Sequence, residues 1–115
     1  MTAADAYRGT APGGTQESSA GDERSLVREV VVANSQGLHA RPADMLAREA
    51  RKWRSRIELV SHAQRVDAKS ILEVLTLAAE AGTRLVIEAT GPDAGEAVDA
   101  IAVLFERKFN EHEHE

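Results

Sequence analysis

The chain has 115 residues, a formal net charge of −5 and no cysteine. That length holds one domain, the lack of thiols excludes disulfides and thiolate chemistry, and the acidic balance speaks against nonspecific nucleic-acid binding, which needs a basic face. No apolar run approaches the ~20 residues that cross a bilayer, and the chain does not open on a signal-like apolar stretch, so a cytoplasmic protein without membrane insertion is expected.

Residues 1–24 are rich in Gly, Ala, Ser and Thr and nearly devoid of large apolar side chains. Such a segment cannot offset its ordering entropy, and it reads as a disordered arm. Residues 25–110 carry the apolar patterning and form the expected domain. Residues 111–115 read as a polar tail, in which His112 and His114 alternate with Glu. Two such histidines offer too few ligands and no rigid frame, so no metal site is expected.

Within the domain, residues 26–33 (LVREVVVA) are Val-rich and predict a strand, followed by a turn at NSQG. Residues 40–53 predict a helix whose apolar stripe is Ala43, Leu46, Ala47, Ala50 and Trp53, with Met45 off it. Residues 57–60 and 65–68 read as two short strands joined by a tight turn that exposes His62. A second helix starts at Ser70, where Ser70 and Glu73 have the spacing of a capping box and Gly82 supplies the stop. Its stripe is Ile71, Val74, Leu75 and Ala78, which leaves Leu72 exposed. Residues 83–90 predict a strand with Leu85, Ile87 and Ala89 on one face. Asp93 and Glu96 form a second capping box before a last helix, which buries Ala97, Ile101, Leu104, Phe105 and the stem of Lys108. Aromatics make up 3% of the chain, so an aliphatic core is expected. The order βαββαβα predicts an α+β open-faced sandwich: a four-stranded antiparallel sheet covered on one face by three helices.

One stretch breaks the local rules. GLHARPA, residues 37–43, puts His39 at a helix cap and Arg41 in the first turn. Unpaired N–H groups and the helix dipole make that end positive, and Ser, Thr, Asp or Asn normally occupies the cap. Pro42 suits the first turn, and Gly37 permits a sharp bend before it. An anion arriving from outside resolves the conflict, because free N–H groups and a guanidinium together bind phosphate oxygens. The neutral imidazole of His39 is a nucleophile that could carry the phosphorus. The alternative is a surface histidine near a turn and a solvated arginine.

GLHARPA resembles the active-site motif of the HPr family, the histidine-containing phosphocarriers of the bacterial phosphotransferase system. VDAKSILEVL, residues 66–75, resembles that family's second motif, and the resemblance spans residues 29–105. It implies that His39 accepts a phosphoryl group on Nδ1 from enzyme I, itself charged by phosphoenolpyruvate. His39 would then pass it to a IIA-type acceptor protein of a sugar or nitrogen-linked system. Arg41 would stabilise the transferred charge. The carrier would need no cofactor, since the magnesium belongs to enzyme I, and would act as a monomer. Met45, Ile71 and Leu72 would form an apolar docking patch, although core packing accounts equally well for Ile71. Some family members are phosphorylated by a serine kinase at the position of Ser70. Here Glu73 stands where a glycine is common and would repel that phosphate, so the cap accounts better for both residues. A regulatory module, its partner contact switched by phosphorylation of His39 or Ser70, is the alternative function. A generic α+β binding domain with a fortuitous motif is a third.

Overall fold

The computed structural model describes residues 25–62 and 64–110. The arm expected over residues 1–24 and the tail over 111–115, with His112 and His114, lie outside the described residues. The strands are β1 (Ser25–Val31), β2 (Arg56–Ser61), β3 (Gln64–Asp67) and β4 (Arg84–Thr90). They form one antiparallel sheet in the order β1-β4-β2-β3. Three helices, α1 (Ala40–Ala50), α2 (Ile71–Thr76) and α3 (Ala94–Glu106), cover one face. The architecture is the one the alternation of strands and helices predicts.

The register explains why one face is closed and the other open. Ile57 pairs with Ala89, Leu59 with both Ile87 and Val66, and Val30 with Leu85. All of these point into the helix layer and are buried. The alternate residues Glu58, Val60, Val86 and Glu88 lie on the other face and stay partly exposed. There Arg65 spans Glu58 and Glu88, 2.6 Å from each, which raises the guanidinium's already high pKa. A slip of one residue would turn every buried side chain to solvent, so burial specifies the pairing. Burying each of Leu46, Ile57, Leu59, Leu85, Ile87 and Ile101 contributes roughly 1.5–3 kcal/mol.

The structure revises several local expectations. α1 ends at Ala50, and Trp53 is half-buried beyond it, its indole N–H donating to Glu49 at 3.3 Å. α2 stops at Thr76, well short of Gly82. Ala78 takes a left-handed φ of 49°, which leaves it exposed and turns Ala79 inward instead. Ser70 caps α2 by accepting the Glu73 N–H at 3.2 Å. The reciprocal half of the capping box is absent, because the Glu73 carboxylate accepts the N–H of Asp67 at 2.9 Å. Ser70 donates its own N–H to the Asp67 carbonyl.

Asp93 occupies the cap position of α3 but makes no side-chain cap there. Its carboxylate accepts the N–H groups of Arg54 and Ser55, each at 2.9 Å, and the Ser55 hydroxyl at 2.6 Å. Three donors from one neighbouring segment outcompete the helix's own N–H, and these bonds, led by the Ser55 hydroxyl, hold the Asp93 pKa down at about 2. The second predicted capping box therefore does not form. Asp93 instead ties the start of β2 to the start of α3.

The core is not purely aliphatic either. Phe105 and Phe109 are its largest fully buried side chains and meet edge to face, with ring centroids 5.0 Å apart. A single turn at Lys108–Asn110, with φ of 54°, 54° and 61°, folds Phe109 back onto α3. Lys108 is exposed as a result and Leu104 is half-buried, whereas the helix period alone placed both inside.

Candidate functional site

β1 leads directly into the loop that carries His39. Gly37 bends it with a φ of 73°. A side chain there would bring its Cβ to 2.5 Å from the Ala79 carbonyl oxygen. The bend is held from three sides. Gly37 donates its N–H to the Asn34 carbonyl at 3.1 Å. The fully buried Asn34 donates its side-chain amide to the Gly37 carbonyl at 2.7 Å. Leu38, buried itself, donates its N–H to Ala79 at 2.9 Å. Asn34 and Ala79 escape a sequence reading as site residues. Asn and Gly in NSQG mark a turn in the sequence, but not which side chain braces it.

This brace delivers His39 to the cap position of α1, half-exposed and with extended backbone. Its side chain makes no cap bond to the helix. The His39 carbonyl accepts the Ala43 N–H at 3.0 Å and closes the first turn. Pro42, buried at the third helical position, has no N–H. The N–H groups of Ala40 and Arg41 have no acceptor among the described residues. Among the described residues the helix thus opens on two donors without an acceptor, directly after His39.

The electrostatics at this end differ from those of the other two helices. α2 carries Glu73 in its first turn and α3 carries Glu96, whereas α1 has no acidic residue there. Arg41 is exposed and makes no hydrogen bond or ion pair among the described residues. Asp44, the nearest acid along α1, is engaged by Arg48 at 2.9 Å. Dipole, donors and guanidinium therefore add with the same sign and suit a tetrahedral oxyanion.

The remaining candidates fall around α2. Leu72 is 76% exposed. Met45 and Ile71 are half-buried and packed against the core, so each offers only part of its surface. Ser70, half-buried, is engaged as the cap of α2. His62 is exposed at the hairpin turn. The described residues contain no cluster of histidines and acids arranged to hold a metal, and no helix among them is long and apolar enough to cross a membrane.

Fold and site together define a small open-faced α+β domain that presents a histidine at an anion-ready helix start. A family model described as the PTS HPr component phosphorylation site matches residues 26–107. The phosphocarrier protein HPr of Treponema pallidum (strain Nichols) is 43% identical over 86 residues, covering 75% of this chain and 98% of that protein. The phosphocarrier protein NPr of Proteus mirabilis (strain HI4320) is 40% identical, covering 73% of this chain and 94% of its own length. A crystal structure of HPr from Thermoanaerobacter tengcongensis superposes with a TM-score of 0.73 at 34% identity, covering 76% of this chain and 98% of the other. The chain belongs to the HPr family of phosphocarriers of the phosphotransferase system.

Proposed function

We propose that His39 is the phosphoryl acceptor, and that it takes the group from enzyme I charged by phosphoenolpyruvate and passes it to a IIA-type protein. Residues 25–110 are the carrier unit, a cytoplasmic monomer with no cofactor of its own. The observation that carries this reading is that the Ala40 and Arg41 N–H groups, next to His39 in the chain, have no acceptor among the described residues. In the transfer a ring nitrogen of His39, Nδ1 in this family, attacks phosphorus. The bond from phosphorus to the donor's histidine nitrogen breaks, and the donor imidazole leaves with its electron pair. The three phosphoryl oxygens keep their charge throughout, over the helix N–H groups and beside the Arg41 guanidinium. Catalysis is positioning and charge stabilisation, which suits a loose phosphoryl-transfer transition state. Leu72, with the accessible parts of Met45 and Ile71, supplies the apolar contact for the incoming protein, and Met adapts to more than one partner.

The test is incubation with enzyme I, magnesium and phosphoenolpyruvate, followed by intact-mass measurement. A gain of one acid-labile phosphoryl group, lost in His39→Ala, is expected. Labelling that survives this substitution overturns the assignment. Transfer onward to sugar-branch and nitrogen-branch IIA proteins in parallel separates the two branches, since relatives named HPr and NPr are of similar identity.

A further inference from the structure

Arg41, Asp44 and Arg48 stand three and four residues apart on α1, so their side chains share one face of the helix in the order plus, minus, plus. Asp44 lies between two guanidiniums and is bound to one of them. The Arg48 Nε donates to its carboxylate at 2.9 Å. Arg41 makes no hydrogen bond or ion pair among the described residues. The choice has a physical reason. Side chains on a helix lean toward its N-terminus, so an acid is matched well by a base four residues after it and less well by a base before it.

The pair does little for stability. The side chains of Arg48 and Asp44 are 72% and 39% exposed, and ion pairs so open to water are weak. Its place matters more. Asp44 lies in the second turn of α1, at the helix end that follows His39. A carboxylate released there acts twice with the same sign: it pairs with Arg41, and it repels an arriving oxyanion. The bases that follow α1 do not replace Arg48. Lys52 is bound to Glu49 at 3.0 Å, and Arg51 donates to the Lys69 carbonyl at 2.9 Å.

We propose that Arg48 is a positioning residue for phosphoryl acceptance: it holds the Asp44 carboxylate away from Arg41 and leaves that guanidinium open to the incoming oxyanion. The inference rests on acceptance at His39 as read above. In this role Arg48 need touch neither the phosphoryl group nor the ring, because it acts through Asp44 on Arg41. Two other roles make different demands. A pair that only stabilises the helix changes the melting midpoint and not the rate. A base that contacts the donor protein slows transfer from that protein alone, and removing the Asp44 charge does not restore it.

The experiment compares four full-length chains: the parent, Arg48→Ala, Asp44→Asn and the double variant. Each takes the phosphoryl group from enzyme I with magnesium and phosphoenolpyruvate, and separately from phosphoramidate. With phosphoramidate a ring nitrogen attacks phosphorus, the bond to the amide nitrogen breaks and ammonia leaves, so no protein docks. Peptide mass spectrometry reads the rate at His39, with the exposed His62 as internal reference. Arg48→Ala should accept about fivefold more slowly from both donors, the effect of one charge a few ångströms away in water. Asp44→Asn should be at least as fast as the parent, and the double variant should recover the parent rate. Melting midpoints should stay within about 4 °C of one another. The proposal is overturned if Arg48→Ala accepts at the parent rate, if the double variant stays slow, or if only the enzyme I reaction slows. A parent chain that neither donor labels at His39 refutes acceptance there, and the proposal with it.

Discussion

The main-chain N–H of Leu38 donates to the carbonyl of Ala79 across 2.9 Å and joins the loop before α1 to the segment after α2. That bond ties the first motif, which supplies the histidine, to the segment that follows the second. Because α2 ends at Thr76, that segment turns and presents the carbonyl that fixes where the histidine sits.

Gly37→Ala tests this linkage. The substitution forces a side chain into a φ of 73° and drives its Cβ against the Ala79 oxygen. A destabilisation of about 1–3 kcal/mol is expected from the strained backbone alone. Chemical denaturation reads the stability, and the rate of phosphoryl acceptance should fall further than the stability does.

Arg41→Ala should leave thermal stability within about 0.5 kcal/mol of the parent, since the exposed guanidinium holds nothing among the described residues. Acceptance of the phosphoryl group should slow about a hundredfold, the scale of removing one charge-stabilising donor. Rapid-quench kinetics with enzyme I measures it. A lost folded spectrum would show that Arg41 is structural.

Asp93 makes stability depend on pH in acid. Its pKa is about 2 in the folded chain against an ordinary 3.8, so folding is favoured where the carboxyl is ionised. The contribution is complete above about pH 4 and disappears as pH falls through 2. Denaturant midpoints measured between pH 2 and pH 5 should fall on acidification, and Asp93→Asn should flatten that part of the curve.

Ala78→Gly should stabilise the chain by about 1 kcal/mol, because Ala78 sits at a φ of 49° that glycine adopts without steric cost. The thermal midpoint should rise and the phosphorylation rate should hold, since the Ala79 carbonyl keeps its place. A fall in the midpoint would mean that the alanine methyl contributes packing its exposed position does not suggest.

Much of this could be read along the chain. The alternation at Leu85, Ile87 and Ala89 marked the closed face of the sheet, and the stripe Ala43, Leu46, Ala47, Ala50 marked the buried side of α1. His39 and Arg41 stood out because they contradict the charge preferred at a helix start. Leu72 fell off its stripe and is exposed. Each of these signals is local, carried by residues within two turns or one strand of each other.

Part of what stayed hidden depends on partners far apart in sequence. The two designed-looking acidic spacings, Ser70 with Glu73 and Asp93 with Glu96, read alike, yet only Ser70 caps its helix. Asp93 turns to Ser55, 38 residues away, because the fold places three donors there. Leu38 likewise meets the Ala79 carbonyl beyond α2. The Asn34 brace on Gly37 and the turn of Phe109 onto Phe105 are short-range, but they rest on loop and left-handed backbone that helix and strand periods do not mark. The order of residues was enough to specify periods, the Ser70 cap and the odd basic helix start, since those rest on short-range sterics and dipoles. Which donor meets which acceptor, and which apolar side chain fills the last space, was settled only when the elements packed, because hydrogen bonds and dispersion act over a few ångströms in space and take no account of distance along the chain.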